Sequence, residues 1–156
     1  MYGRQNTEIV PGYLSYARGV GGHSPGWHRI AKIKGKFTEY SCVISVKRIW
    51  NRSAPEYQKI QFLSAYSARK FISLEAISAS HIWTKIRETY DETEDCSYME
   101  IYQNASSENW WLIIIENAIG AYEGSDWKAI PPELTQETLS GVTVLASLDL
   151  PANNPD

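Results

Sequence analysis

The chain is poor in the residues that metal and redox chemistry require: 156 residues contain two cysteines, three histidines and two methionines. Cys42 and Cys96 lie far apart and lack the CxxC or Cys/His spacing of a zinc site. They read as reduced thiols packed as small hydrophobes, with a disulfide between them as the alternative, and no metal is expected. Basic runs are missing too. Lys+Arg 15 against Asp+Glu 18 gives a net charge of -3, without the electrostatic footprint of a nucleic-acid binder. The longest apolar run, Trp110 to Ile115, falls far short of the roughly 20 residues of a membrane helix. The opening residues MYGRQNTEIVPGY hold no signal-peptide core, so a soluble chain with no export address is expected. No glycine loop of phosphate-binding type occurs, and no cofactor is expected.

Catalytic groupings are equally sparse. His23-Ser24 sits inside GGHSPG, without the strand-turn-helix setting of a nucleophile elbow, and reads as loop. His28 and His81 open expected strands, where an imidazole is usually a half-buried aromatic. The only dense carboxylate group is ETYDETED, Glu88 to Asp95. Glycoside hydrolysis sets two carboxyls about 5 to 9 Å apart across a sugar, one with its pKa raised by burial, which a crowded solvated turn does not provide. Nor does the segment carry the glycine and distal glutamate of an EF-hand loop. It reads as a charged hairpin tip. The triplets at Asn51 and Asn104 match the glycosylation pattern, which is common by chance. Catalytic residues: none are expected.

What the chain does have is aromatics, Trp 6, Tyr 10 and Phe 3, and short β-rich runs separated by Gly, Pro, Asn, Asp and Ser clusters. That pattern predicts an all-β fold, an antiparallel β-sandwich with at most one short helical turn. Strands are expected at 13–17, 27–33, 41–50, 57–66, 71–77, 81–90, 97–103, 110–116 and 142–150. Alternation places Cys42, Ile44, Val46 and Trp50 on one core face, and Ile60, Phe62 and Tyr66 on another. The segments 19–26 and 51–56 carry loop chemistry, and the early proline of PELTQETL suits a helical turn at 132–139. One domain over 13–150 is expected, with an arm at 1–12 and a frayed tail at 151–156.

Five segments, in order, resemble a domain that recurs in bacteriophage tail fibres and related prophage proteins: YLSYARG, GWHRIAKIKG, VISVKRIWNRSAPEYQKIQFLSAY, WTKIRETY and YMEIYQN. In such domains a Gly-Trp-aromatic-Arg-Ile-Ala strand opens the fold, a long hairpin follows, and a Lys-Ile-Arg strand precedes an Ile-Tyr-x-Asn strand. The likeness covers roughly residues 13–131. His28 departs from it, standing where Tyr or Phe is usual, and so does the acidic turn at 91–95. The resemblance implies a jelly-roll β-sandwich, a homotrimer near the end of a fibre, other tail proteins as partners, a place in the virion after synthesis in the bacterial cytoplasm, and no catalytic residues.

Trp110, Trp111, Leu112, Ile113, Ile114 and Ile115 leave no polar face, so something must cover both sides of this strand. We expect either Trp111, Ile113 and Ile115 or the alternate set Trp110, Leu112 and Ile114 to pack on a partner subunit about a threefold axis. A wholly internal strand is the alternative. A host-surface glycan is the expected ligand, since sugars stack on aromatic rings while polar neighbours bond their hydroxyls. Tyr98 and Tyr102, opposite Met99 and Ile101 on their strand, with Glu100 between them, are the candidate site. The competing expectations are a carbohydrate-active enzyme or its binding module, with carboxylates from the acidic turn, and a purely structural tail spacer.

Overall fold

In the computed structural model the period-two patterns become strands, and residues 14–20, 24–48, 56–65, 68–78, 80–106, 110–120 and 126–152 are described. Among them run β1 (Leu14–Val20), β2 (Gly26–Lys34), β3 (Glu39–Arg48), β4 (Glu56–Ala65), β5 (Ala68–Ser78), β6 (Trp83–Asp91), β7 (Cys96–Gln103), β8 (Trp110–Gly120), β9 (Lys128–Thr135) and β10 (Val142–Asp149). The expected arm, Tyr13, His23, Trp50, Tyr66, the loop residues 51–55 and the end of the tail lie outside the described residues.

Two antiparallel five-stranded sheets form, ordered β1-β8-β3-β4-β5 and β10-β6-β7-β2-β9. The fold is the expected β-sandwich. β1 pairs with β8 in the first sheet while β2 pairs with β7 in the second, the nested wrap of a jelly roll, whereas β3, β4 and β5 form a plain meander.

Inward faces meet in one core that includes Cys42, Ile44 and Val46 of β3, Ile60 and Phe62 of β4, Met99 and Ile101 of β7, and Trp83, Trp111 and Trp127. Each such side chain contributes roughly 1.5–3 kcal/mol by leaving water. A bulge between Arg29 and Ala31 lets Ile30 and Ala31 both enter this core while Arg29 stays on the opposite face. Asn117 ties the start of β9 to the first sheet. Its Oδ1 accepts from Tyr40 Oη at 2.5 Å and from the Trp127 N–H at 3.0 Å, and its Nδ2 donates to the Trp127 carbonyl at 3.0 Å.

Three expectations change. The helical turn at 132–139 is absent: Pro131 and Pro132 belong to β9, an edge strand whose pairing with β2 skips from Ala129 to Glu133, so neither proline needs an N–H for the ladder. Gly19 of β1 packs against both, since a Cβ there would stand 3.1 Å from each proline ring. His81 precedes β6 instead of opening it, with φ 49 in a turn held by its N–H on Ser78 Oγ. Glu88 is not part of the acidic tip; it points inward and is 1% exposed.

The two-faced strand β8 is resolved by its neighbours. Trp111, Ile113 and Ile115 are buried in the chain's own core. Trp110, Leu112 and Ile114 lie on the outer face of the first sheet, level with Tyr16 and Arg18 of β1 and Ser45 and Lys47 of β3. On that face Tyr16 is 71%, Leu14 57% and Trp110 43% exposed.

Candidate ligand-binding face

The outer face of the second sheet is built from alternate residues of three adjacent strands. In the register of β6, β7 and β2, Arg87 stands beside Glu100 and Glu100 beside Arg29; one step along, Thr89 stands beside Tyr98. Met99 and Ile101 face the core, so Tyr98, Glu100 and Tyr102 share the opposite side, as their alternation requires.

The candidate trio is tied into a network. Glu100, 1% exposed, accepts from Arg87 Nε at 2.7 Å, from Thr89 Oγ1 at 3.1 Å and from Arg29 Nε at 3.2 Å. Two guanidinium groups on one buried carboxylate are charge-assisted contacts that offset its desolvation. Tyr98 is buried under the Arg29 guanidinium, which lies 3.8 Å from its ring centre, and its hydroxyl donates to Glu94 Oε1 at 2.5 Å. Burial first, then the Glu94 carboxylate, raises the Tyr98 phenol well above its ordinary pKa, so it remains a donor at working pH. Tyr102 is half-buried, edge-on to Trp27 at 5.3 Å.

The connection 136–141 runs between β9 and β10, on opposite edges of this sheet, and passes over Arg87. Arg87 donates to the carbonyls of Gln136 at 3.1 Å and Glu137 at 3.0 Å, and to Glu137 Oε2 at 2.9 Å. The Trp27 indole N–H donates to the same oxygen at 2.7 Å, and the Arg87 guanidinium stacks 4.0 Å from the Trp27 ring. Gly141, φ +76, turns the chain back into β10. Beneath the crossing lies a cleft of about 80 Å³ bounded by Arg87, Thr89, Gln136, Glu137 and Val144 among others.

The acidic turn forms the tip of the β6–β7 hairpin. Asp91 Oδ1 accepts the N–H groups of Thr93 and Glu94 at 2.9 and 3.1 Å, and Asp95 takes a positive φ of 53. Among the described residues no group of three or more His, Cys, Asp or Glu is placed to hold a metal ion, and no helix is long and apolar enough to cross a membrane. Cys42 and Cys96 are free thiols, Cys42 in the core.

The other members of this face, Trp27, Arg29, Arg87 and Glu137, were not singled out by sequence reasoning. Arg29 and Arg87 each occupy an outward position in an otherwise apolar or mixed strand, a signal visible only once both strands are set in register beside β7. Glu137 fell within the expected helical turn.

No protein-family model matches the chain, and no curated protein matches it. Among solved structures, the crystal structure of the Acinetobacter phage vB_ApiP_P1 tailspike protein is similar to it at a TM-score of 0.44 and 9% identity. The match covers 83% of this chain and 25% of the tailspike chain, so it spans a quarter of that protein's length.

Proposed function

We propose that this chain is a non-enzymatic domain of a bacteriophage tail or tail-like particle that recognises a host-surface glycan and assembles as a trimer. The resemblance of its five segments to tail-fibre domains supports the particle, and the β-sandwich is the fold that resemblance implies. The observation that carries the ligand is the outer face of the second sheet, where the half-buried Tyr102 ring stands against Trp27 above a buried layer of Arg29, Arg87, Tyr98 and Glu100 that fixes it. Rings beside charge-fixed hydrogen-bonding groups are what a sugar's apolar face and hydroxyls require. The outer face of the first sheet, with Trp110, Leu112 and Ile114, supplies the surface for neighbouring subunits.

The test is an array of bacterial surface polysaccharides probed with the purified chain, alongside its sedimentation. Binding of one glycan class by a trimer is the expected result. Failure to bind any glycan while binding other tail components would replace this reading with that of a spacer. Release of new reducing ends from a bound polysaccharide would replace it with that of an enzyme.

A further inference from the structure

We infer that the outer face of the second sheet recognises an acidic sugar through its carboxylate, and that the Glu137 side chain sits where that carboxylate binds. This rests on the glycan reading above and names the class of sugar.

The donors are buried and the acceptor is exposed. Trp27 and Arg87 are each 5% exposed and come from β2 and β6, on either side of β7. Arg87 is held by Nε on Glu100 and by its stack on Trp27. Glu137 belongs to the connection outside the strands, and its side chain is 71% exposed. Both donors nevertheless converge on one oxygen, Glu137 Oε2, at 2.7 and 2.9 Å. Tethering the connection does not require that carboxylate, because Arg87 already binds the carbonyls of Gln136 and Glu137. What the carboxylate satisfies is a pair of N–H groups that converge on one anionic oxygen.

The space beside it suits the rest of such a ligand. The cleft of about 80 Å³ next to Glu137 is lined by Thr89, Gln136 and Thr138 as hydrogen-bonding groups and by Leu139, Val142 and Val144 as an apolar wall. Rotation of the Glu137 side chain toward solvent would free the Trp27 and Arg87 N–H groups, the latter on a residue that lines this cleft. A uronic or sialic acid then places its carboxylate on the Trp27 and Arg87 N–H groups and its ring against the apolar wall. Glu137 acts as an internal competitor, so the apparent affinity falls by the fraction of molecules in which it is withdrawn.

The experiment measures binding of oligosaccharides ending in glucuronic acid or a sialic acid, and of their carboxyl-reduced counterparts, to the full chain by calorimetry. Glu137→Ala is expected to bind an acidic oligosaccharide about tenfold more tightly than the unaltered chain, the gain for a competitor withdrawn in about one molecule in ten. Carboxyl-reduced sugars should show no gain. Trp27→Phe, which keeps the ring and removes the N–H, should cancel the gain in the Glu137→Ala background. Glu137→Gln, of the same size, should give a smaller gain with the fold unchanged. Equal affinity of Glu137→Ala for acidic and reduced sugars would overturn the carboxylate assignment while leaving glycan recognition standing. An unchanged affinity in both Glu137 variants would overturn the competitor. No binding of any sugar here or on the polysaccharide array would remove both readings together.

Discussion

Arg69 Nη1 lies 2.9 and 2.8 Å from the two oxygens of Glu88, joining β5 of the first sheet to β6 of the second across the side of the sandwich. The Glu88 side chain is 1% exposed, and the other Arg69 amino group donates to the Phe37 carbonyl. Burial raises the Glu88 carboxyl from 4.5 to about 7, outweighing the attraction of Arg69 and Lys36.

A pH dependence follows from this pair. The unfolded carboxyl titrates near 4.5 and the folded one near 7, so between those values the folded state holds the extra proton. Its stabilising contribution is fully present below about 4.5 and is lost as pH rises through about 7. Each pKa unit corresponds to about 1.4 kcal/mol, so a rise from 4.5 to about 7 makes the whole effect roughly 3.5 kcal/mol. His28 opposes it, since burial lowers its pKa below 6.5 and the unfolded imidazole takes up its proton first. The expected outcome is therefore a difference: in denaturant titrations from pH 5 to 8, Glu88→Gln should lose stability with rising pH less steeply than the unaltered chain. Parallel pH curves would show that Glu88 titrates at its ordinary value.

Substitutions at adjacent positions of β8 should have opposite consequences. Ile113 is fully buried, so Ile113→Asp places an unpaired charge in the core and should abolish folding, a cost of several kcal/mol. Ile114 lies on the outer face, so Ile114→Asp should leave the fold intact and convert the expected trimer to monomer. Circular dichroism and sedimentation separate the two. A monomer at micromolar concentration in the unaltered chain would remove the subunit interface.

The two tyrosines of the candidate trio should separate as well. Tyr98→Ala removes a buried ring, its stack with Arg29 and its bond to Glu94, and should cost about 3 kcal/mol or more in folding stability. Tyr102, half-buried, should lose less when changed to Ala and should weaken glycan binding while the fold persists. Chemical denaturation and glycan affinity measured on both variants give the comparison. Unchanged affinity in Tyr102→Ala would place the ligand elsewhere.

Within the acidic tip Asp91 holds the backbone of the turn, while Glu94 and Asp95 accept from the Tyr98 and Tyr90 hydroxyls. Asp91→Ala leaves the N–H groups of Thr93 and Glu94 without their acceptor and should cost about 1 kcal/mol. Glu92→Gln should change stability by no more than about 0.5 kcal/mol. Equal stability of the two variants would mean that the turn holds without Asp91.

The all-β class, most strands and the core faces of β3, β4 and β7 were legible in the sequence, because a period of two records which side of a strand meets water. That period also put Tyr98, Glu100 and Tyr102 on one face and left β8 with two apolar faces. It carried no information about what lies across from each face. Glu88 looked like one more carboxylate of a solvated turn until Arg69, from the other sheet, was placed opposite it. Pro132 read as the first turn of a helix at 132–139, and only an edge position with a bulge makes it compatible with a strand. Arg29, Arg87 and Trp27 became a site through the register of β2, β6 and β7, and Glu137 joined them through the connection that crosses the sheet. Local alternation is determined by neighbours in the chain; the partners of a buried charge or an exposed face are determined by strand order and register, which residues distant in sequence decide together.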